Sequence, residues 1–283
     1  MKIAHLILAH NQPDQLTRLI TRLSHKDADC FIHIDAKTSL EAFKKISQLQ
    51  NVFIIDKRVK ITWGSYSIVQ ATLNGLSNII ASNKNYDYIN LLSGQDYPLK
   101  AAVEIHQFLR ERKGKLFMEY YSIEQEWKEA IPRIKKYHLT DYNIPGKHKL
   151  ERLINTIFPS RKMPQKLIPV GRSQWFTITL ESAKYIISYL KKNPDVSQFF
   201  RLTWAPDEMI FQTILYSSPF NAAMVNNNLR YIDWSEGKAS PKTFTINDLE
   251  TLQGSGKLFA RKFNADNDEK ILTALDELTM SIV

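Results

Sequence analysis

Short apolar runs alternate with segments of helical periodicity in the first third of the sequence, and this alternation constrains the fold more than any other feature. The run Ile3–Ala9 is strand-like, and Leu16, Leu19 and Leu23 then recur at helical spacing. The same order continues with predicted strands over 30–35, 52–55 and 86–92 and predicted helices over 40–49, 68–80 and 101–112. Strands that alternate with helices form mostly parallel sheets with helices on both faces. The sequence therefore predicts an α/β fold.

The region from about 120 to 172 differs in character, because basic and aromatic residues fill it without a clear period. We predict one helix there, over 150–158, and interpret the region as an insertion in a single domain that spans 1–283. Such an insertion can cover a substrate groove, although a solvated basic surface is the commoner alternative. Beyond it the sequence predicts strands over 173–179 and 229–234, a helix over 182–192, and a further helix that begins at Pro206.

Composition indicates the surroundings of the protein more than its chemistry. The formal net charge of +9 favours contact with phosphates, polyanions or an anionic membrane face, without distinguishing among them. Cys30 is the only cysteine, so no intrachain disulfide can form, and its apolar neighbours favour a buried thiol over a nucleophile. The N-terminal apolar run is too short for a signal peptide. We therefore expect a soluble cytoplasmic protein, with peripheral binding to a membrane as one use of its charge.

Several common enzyme classes leave motifs that this sequence lacks. The P-loop, the dinucleotide glycine pattern, the two-histidine zinc helix and the nucleophile elbow are all absent. Two Asp-x-Asp pairs, Asp27/Asp29 and Asp266/Asp268, could hold a divalent metal, but their positions favour turns or helix caps. The loop after the fourth strand, where a metal site for a nucleotide sugar is expected, offers only Asp96.

Two short stretches carry the most plausible chemistry. Asp207 and Glu208 follow Pro206 at the start of a predicted helix, where acidic residues are favoured by the helix dipole, so they are either helix-start residues or a catalytic carboxylate. Of the two, Asp207 fits a residue that caps the first turn. Arg261 and Lys262 stand side by side near a glycine-containing segment and could neutralise a diphosphate without a metal, the alternative being a solvated basic pair.

Polar and aromatic residues also follow several predicted strands. His10, Asn11 and Asp35 lie at the carboxyl ends of two strands, where α/β proteins bind ligands, and we expect them to be close in space. Trp63, beside Gly64, suits either a ring that stacks on a flat ligand or a ring that caps the core.

Six segments, taken in order, resemble one known family. They are 33–37 (HIDAK), 63–67 (WGSYS), 89–100 (INLLSGQDYPLK), 174–179 (QWFTIT), 206–208 (PDE) and 258–263 (LFARKF). Together they are similar to the core-2/I-branching β-1,6-N-acetylglucosaminyltransferase family, glycosyltransferase family 14, whose superfamily includes the peptide O-xylosyltransferases. The resemblance covers about 3–263. The membrane anchor, stem and disulfides of animal members have no counterpart, which favours a bacterial-type member.

The resemblance implies a glycosyltransferase A fold with a Rossmann-like mixed sheet flanked by helices, a UDP-sugar donor, an inverting mechanism and no metal or other cofactor. Glu208 matches the general base. The implied UDP-binding residues are His10, Asp35, Trp63, Arg261 and Lys262, with Lys242, and after it Lys238, as the candidate for a further basic residue at the diphosphate. The implied sugar and acceptor residues are Ser93, Gln95, Asp96, Gln174 and Trp175, together with Tyr231 and Trp234 as an aromatic acceptor platform.

The expected function is therefore the transfer of a sugar, N-acetylglucosamine or xylose, from UDP to a hydroxyl of a glycan or lipid-linked glycan. Two alternatives remain open from the residues. One is a metal-dependent glycosyltransferase that uses Asp96 with Asp35. The other is a protein that binds nucleic acid or another polyanion, suggested by the charge and by the basic, aromatic region, although no element carries a regular basic stripe.

Overall fold

The computed structural model describes residues 1–280. Contacts within the chain group them into two compact units. The first unit consists of Met1–Asp56, Asn85–Gly114 and the residues from Leu229 onward, and the second consists of Lys57–Lys84 and Lys115–Asn228. The single domain over 1–283, with its insertion at about 120–172, stays a prediction.

Strands and helices alternate along most of the chain. Within residues 1–280 the strands are β1 (Ile3–Ala9), β2 (Ala28–Ile34), β3 (Val52–Ile54), β4 (Tyr88–Ser93), β5 (Asp96–Pro98), β6 (Leu116–Ser122), β7 (Val170–Thr179), β8 (Met224–Asn226), β9 (Arg230–Ile232) and β10 (Phe259–Arg261). The α-helices are α1 (Pro13–Arg22), α2 (Tyr66–Ala81), α3 (Ala102–Glu111), α4 (Ile131–Lys135), α5 (Lys147–Ile157), α6 (Leu180–Lys192), α7 (Pro194–Arg201), α8 (Ile210–Tyr216), α9 (Leu249–Gly254) and α10 (Lys270–Met280). In the part of the chain that the structure describes, no helix has both the length and the apolar character needed to span a bilayer.

The first unit is built on four parallel strands in the order β3, β2, β1, β4. Every residue of β1, β2 and β4 is buried, which is why these strands are nearly continuous apolar runs in the sequence. Helix α1 buries Leu16 and Leu19, two of the residues whose spacing predicts it, together with Ile20. A small second sheet places β10 between β5, which is antiparallel to it, and β9, which is parallel. The α/β class is confirmed.

The second unit pairs β6 with β7 in antiparallel orientation and with β8 in parallel orientation. Helices α6 and α8 pack beside these strands, and α2 packs against α6. Helix α2 begins where the Ser65 hydroxyl accepts a hydrogen bond from the Ser67 N–H at 3.2 Å. Gly171 in β7 lets the chain at Met209 approach closely, because a Cβ at this position would lie 2.7 Å from the Met209 Cα.

Several predicted elements are wrong in type or extent. The predicted helix over 40–49 is two 3₁₀ turns, Glu41–Phe43 and Ile46–Gln48, since only Phe43 and Ile46 are buried there and the rest of the segment has no apolar face to pack. The helix predicted from Pro206 is split. A 3₁₀ turn, Pro206–Glu208, is separated from α8 by Met209, whose φ of −144° is not helical.

The region around 120–172 holds more regular structure than the single predicted helix. Helix α5 covers most of the predicted 150–158, but α4 precedes it and is too short to show a period in the sequence. Helix α7, beyond that region, is also missing from the prediction, although Pro194 stands at its first position.

Candidate active site

Glu208 is the centre of a group of side chains in the second unit. It is the last residue of the turn Pro206–Glu208, and its Oε2 accepts a hydrogen bond from Arg133 Nη1 at 2.6 Å. Burial raises the pKa of Glu208, whereas the charge and hydrogen bond of Arg133 and the charge of Arg172 lower it. A carboxylate whose burial raises its pKa is a better proton acceptor than an exposed one.

Aromatic rings fix the guanidinium of Arg133. Its central carbon lies 4.8 Å from the ring centre of Trp127 and 4.3 Å from that of Trp204. Such contacts hold a planar cation in one orientation. Arg133 is therefore placed to orient the Glu208 carboxylate.

Trp63 lies in the same group. Its ring meets the Trp204 ring edge to face, at 5.4 Å between centres and 78° between planes. Trp63 itself is 64% exposed, so the alternative that it caps the core is wrong. An exposed indole edge beside a second tryptophan is suited to contact with a ligand. The segment is anchored by the Ala205 N–H, which donates to the Gly64 carbonyl at 2.8 Å.

Asp207 is buried beside Glu208 and does not act as predicted. The turn begins after Ala205, and no side chain caps its N-terminus, so the predicted capping role of Asp207 is wrong. Its Oδ1 has no hydrogen-bond partner. Burial, reinforced by the charge of Glu208, raises the pKa of Asp207 to about 8. Asp207 is therefore the carboxyl of the pair that keeps its proton to higher pH, and Glu208 is the one that ionises more readily.

A second group of charged side chains lies in the first unit, around Asp96. This carboxylate is fully buried, with Oδ1 3.2 Å from Arg261 Nη1 and Oδ2 3.9 Å from Arg230 Nε. The register of β5 and β10 sets Asp96 opposite Arg261 and so fixes their contact. Arg230 Nη2 also donates to the Asn90 side chain and to the Leu91 carbonyl, each at 2.5 Å. We name Asp96, Arg230, Arg261 and Lys262 the Asp96 cluster.

The arginines of the Asp96 cluster remain cationic at neutral pH. Burial lowers the pKa of Arg230 to about 10, while Asp96 opposes that shift. Burial also lowers the pKa of Arg261 and of Lys262, and in Lys262 the charge of Arg261 adds to the effect. Lys262 Nζ lies 3.3 Å from the Ser240 hydroxyl. Two adjacent partly exposed cations with reduced hydration suit the binding of a diphosphate.

The basic residues proposed to complete this group have other partners. Lys242 Nζ lies 2.6 Å from Asp248, and Lys238 Nζ lies 3.0 Å from Glu236. The backbone of Lys242 is nevertheless next to Lys262, whose N–H donates to the Lys242 carbonyl at 3.4 Å. The backbone of Lys242 therefore lies at the Asp96 cluster, while the ammonium groups of Lys238 and Lys242 pair with carboxylates.

The strand ends of the first unit bring His10 and Asp35 together, as predicted. The Asp35 N–H donates to the Ala9 carbonyl, and the Thr38 hydroxyl donates to the His10 carbonyl, both at 2.8 Å. Burial lowers the pKa of His10 and the Asp35 charge opposes this. Asp35 Oδ1 also accepts from the Lys37 N–H at 2.9 Å.

The remaining predicted residues differ in accessibility. Ser93 and Gln95 are buried and joined by a hydrogen bond from the Gln95 N–H to the Ser93 hydroxyl at 3.1 Å. Trp175 is buried and Gln174 half-buried. Tyr231 packs on Phe244 at 5.8 Å, whereas Trp234 is exposed. Their assignments to sugar and acceptor stay predictions.

The residues that position Glu208, and Arg230 beside Asp96, were not predicted from the sequence. Arg133, Trp127 and Arg172 lie in the region without a period, so nothing in the sequence links them to Glu208. Arg230 carried a usable signal, because it is a charged residue within a predicted strand. Within residues 1–280, no three side chains of histidine, cysteine, aspartate or glutamate converge in a group able to hold a metal.

Comparison with known proteins identifies the family of this chain. The family model of the Core-2/I-Branching enzyme matches residues 3–253. The chain belongs to the Core-2/I-Branching enzyme family. This confirms the predicted family and the expectation of an enzyme of the glycosyltransferase class. The match to the family includes Glu208 and ends before Arg261 and Lys262, so the roles of these two residues rest on the resemblance of their own segment.

Relatives of this family member include animal xylosyltransferases. The xylosyltransferase of Ciona intestinalis is 24% identical over 296 residues, which cover 98% of this chain and 34% of that protein. Xylosyltransferase 2 of Mus musculus is 25% identical over 303 residues, covering 98% and 33%. The chain thus spans about a third of the length of these relatives. Among solved structures, the apo form of mouse xyloside xylosyltransferase 1 is similar with a TM-score of 0.41 and 9% identity, over 91% of this chain and 97% of the other.

Proposed function

We propose that this protein is an inverting, metal-independent glycosyltransferase that moves a sugar from UDP to a hydroxyl of a glycan or lipid-linked glycan. In this reaction the acceptor O–H bond breaks and its proton passes to Glu208. The acceptor oxygen forms a bond to the anomeric carbon as the bond from that carbon to the diphosphate breaks, and UDP leaves with the electron pair. Attack opposite the leaving group inverts the anomeric centre.

The observation that carries this proposal is the contact of Glu208 with Arg133. The 2.6 Å hydrogen bond holds one carboxylate oxygen, Oε2, and orients the other for a proton. Burial and the charge of Glu208 raise the pKa of the neighbouring Asp207, whereas the charge of Arg133 and its hydrogen bond lower the pKa of Glu208, so Glu208 is the more readily ionised of the two. Membership of a glycosyltransferase family supplies the reaction class in which such a base is needed.

Arg261 and Lys262 are proposed to bind the diphosphate of the donor. Negative charge grows on that group as the bond to the sugar breaks, and fixed cations stabilise it. The ion pair with Asp96 supports this role, because it holds Arg261 in one place before UDP arrives. It also weighs against the metal-dependent alternative, in which Asp96 would have to leave both arginines to ligate a cation.

Xylose is the first donor sugar to test and N-acetylglucosamine the second. Relatives named xylosyltransferases match over 98% of this chain, which supports xylose, while the family description supports the branching sugar.

A thermal-shift panel of UDP-xylose, UDP-N-acetylglucosamine and UDP, combined with a transfer assay, tests the proposal. Glu208→Gln should bind UDP as the wild type does and lose about 10²–10⁴-fold in transfer. Glu129→Gln, an equal change at an exposed residue, is the control. A Glu208→Gln enzyme that transfers sugar at the wild-type rate refutes the assignment of the base. Nuclear magnetic resonance of the product decides inversion, because retention of the anomeric configuration contradicts it.

The diphosphate site is tested separately. Lys262→Ala should weaken UDP binding about tenfold or more, because it removes a charge-assisted contact. Lys238→Ala, which removes a cation already paired with Glu236, should have little effect. The same titration in EDTA separates the two mechanisms. Complete loss of UDP binding in EDTA supports the metal-dependent alternative. Salt-sensitive binding of DNA, without any response to nucleotide sugars, supports the alternative of a polyanion-binding protein.

A further inference from the structure

Helix α5 of the second unit presents its apolar side to solvent. None of its side chains is buried, and those of Leu153 and Ile157 are 55% and 65% exposed. Leu150, one turn before them, is also exposed. At 100° per residue these three side chains share one stripe of the helix. A helix on the surface of a globular protein normally turns such a stripe inward.

The polar side of α5 faces the protein instead. Glu151 Oε2 accepts a hydrogen bond from the Leu139 N–H at 2.9 Å. Asn155 accepts from the Tyr137 N–H at 2.7 Å and donates to the Tyr137 carbonyl at 2.8 Å. These hydrogen bonds fix the rotation of the helix about its axis. The apolar stripe is therefore held outward by specific contacts of the opposite side.

Basic residues flank the apolar stripe. Lys147 and Lys149 lie on its two borders by helical geometry, and Arg152 lies beyond Lys149. The only carboxylate of the helix, Glu151, is the one hydrogen-bonded to Leu139. The outward side of α5 thus combines leucine and isoleucine with positive charge alone. This combination is typical of helices that lie in the interface of an anionic membrane.

We propose that α5 binds the surface of an anionic lipid bilayer, with its axis in the plane of the membrane. Leu150, Leu153 and Ile157 enter the boundary between headgroups and acyl chains, and Lys147 and Lys149 contact lipid phosphates. Charge selects this partner over a second copy of the chain. Two copies facing each other through α5 would bring like charges together, whereas an anionic bilayer neutralises them. This surface is distinct from the residues assigned to the proposed reaction.

Sedimentation with lipid vesicles tests the proposal on the full chain. Wild-type protein should bind vesicles made of equal parts of phosphatidylglycerol and phosphatidylcholine. It should bind vesicles of phosphatidylcholine alone at least tenfold more weakly, because each basic residue at an anionic surface raises the affinity about fivefold. Leu153→Glu should weaken binding to the anionic vesicles about tenfold or more, since it removes buried apolar area and adds a negative charge.

Val103→Glu is a matched control. Val103 on α3 is 54% exposed, so the same change in charge is made on an equally exposed aliphatic residue of another helix. It should reduce binding far less than Leu153→Glu. Both variants should unfold at the wild-type temperature and keep UDP binding, which separates this test from the test of the proposed function.

Three results overturn the proposal. One is the absence of wild-type binding to anionic vesicles, and another is an equal loss in Leu153→Glu and Val103→Glu. The third is a dimer, measured by light scattering, that Leu153→Glu dissociates, because this assigns the surface to a second copy of the chain.

Discussion

Replacing Arg133 with methionine tests how the protein sets the basicity of Glu208. Burial raises the pKa of Glu208, and Arg133 is the largest influence that lowers it. Removing the guanidinium therefore raises the pKa further, and the enzyme needs a higher pH to have Glu208 in its ionised, proton-accepting form. The activity of the variant should fall on the acidic side of the pH profile and approach that of the wild type on the alkaline side.

The size of the effect follows from the geometry of this ion pair. Opposite unit charges at about 4 Å attract by about 4 kcal/mol when the effective dielectric constant is about 20. The Glu208 side chain is 32% exposed, so water screens part of this attraction, and about half of it, ~2 kcal/mol, is a reasonable expectation. This corresponds to roughly a thirtyfold loss of kcat/KM at pH values well below the pKa of Glu208.

The assay is kcat/KM for sugar transfer as a function of pH, because this parameter reports the ionisation of the free enzyme. Arg133→Lys should recover most of the acidic limb, since it restores the charge, but not the thermal stability that the contacts with Trp127 and Trp204 supply. Lys136→Met, at an exposed residue just beyond α4, is the control. A profile of Arg133→Met that is lowered equally at every pH refutes the reasoning, because it indicates structural damage instead of a changed pKa.

Two further predictions concern the surroundings of Glu208. Asp207→Asn should become progressively more stable than the wild type as pH rises between about 4 and 8. With a pKa of about 8 when folded and an ordinary value when unfolded, Asp207 binds a proton only in the native state over this range, so the free energy of unfolding falls with pH. Thermal unfolding at several pH values checks this, and a difference independent of pH contradicts it. Gly171→Ala should cost about 1–3 kcal/mol in stability and reduce transfer, because its Cβ would overlap the backbone at Met209. Gly254→Ala, whose Cβ would meet no atom within 4 Å, should cost nothing in urea unfolding, and equal losses in the two variants would falsify the packing argument.

The elements that the sequence predicts well are those whose own residues are buried on a regular pattern. Strand β1 has the predicted bounds Ile3–Ala9, because a parallel strand covered on both faces is a continuous apolar run. Strands β5 and β10 have three residues each and carry no such pattern. They exist because they pair with each other, and pairing between residues about 165 apart leaves no local trace.

The predictability of the candidate site follows the same rule. Glu208, Arg261 and Lys262 stand in short segments that resemble a family, so they can be proposed from the sequence. Arg133 contacts Glu208 across 75 residues of sequence and lies in a region whose apolar residues show no regular spacing. The partner that sets the basicity of a carboxylate is a matter of tertiary structure, and only the folded chain shows it.

Accessibility explains why two carboxylates with similar partners are suited to opposite tasks. Asp96 and Glu208 each contact an arginine at hydrogen-bond distance. No part of the Asp96 side chain reaches solvent, so an acceptor hydroxyl cannot approach it, and its charge can only position Arg261. About a third of the Glu208 side chain is open to solvent, so an acceptor hydroxyl can reach it. An Asp96→Asn enzyme should therefore lose affinity for UDP in the thermal-shift titration while keeping the wild-type pH profile of kcat, whereas a displaced acidic limb in that variant would contradict this division of roles.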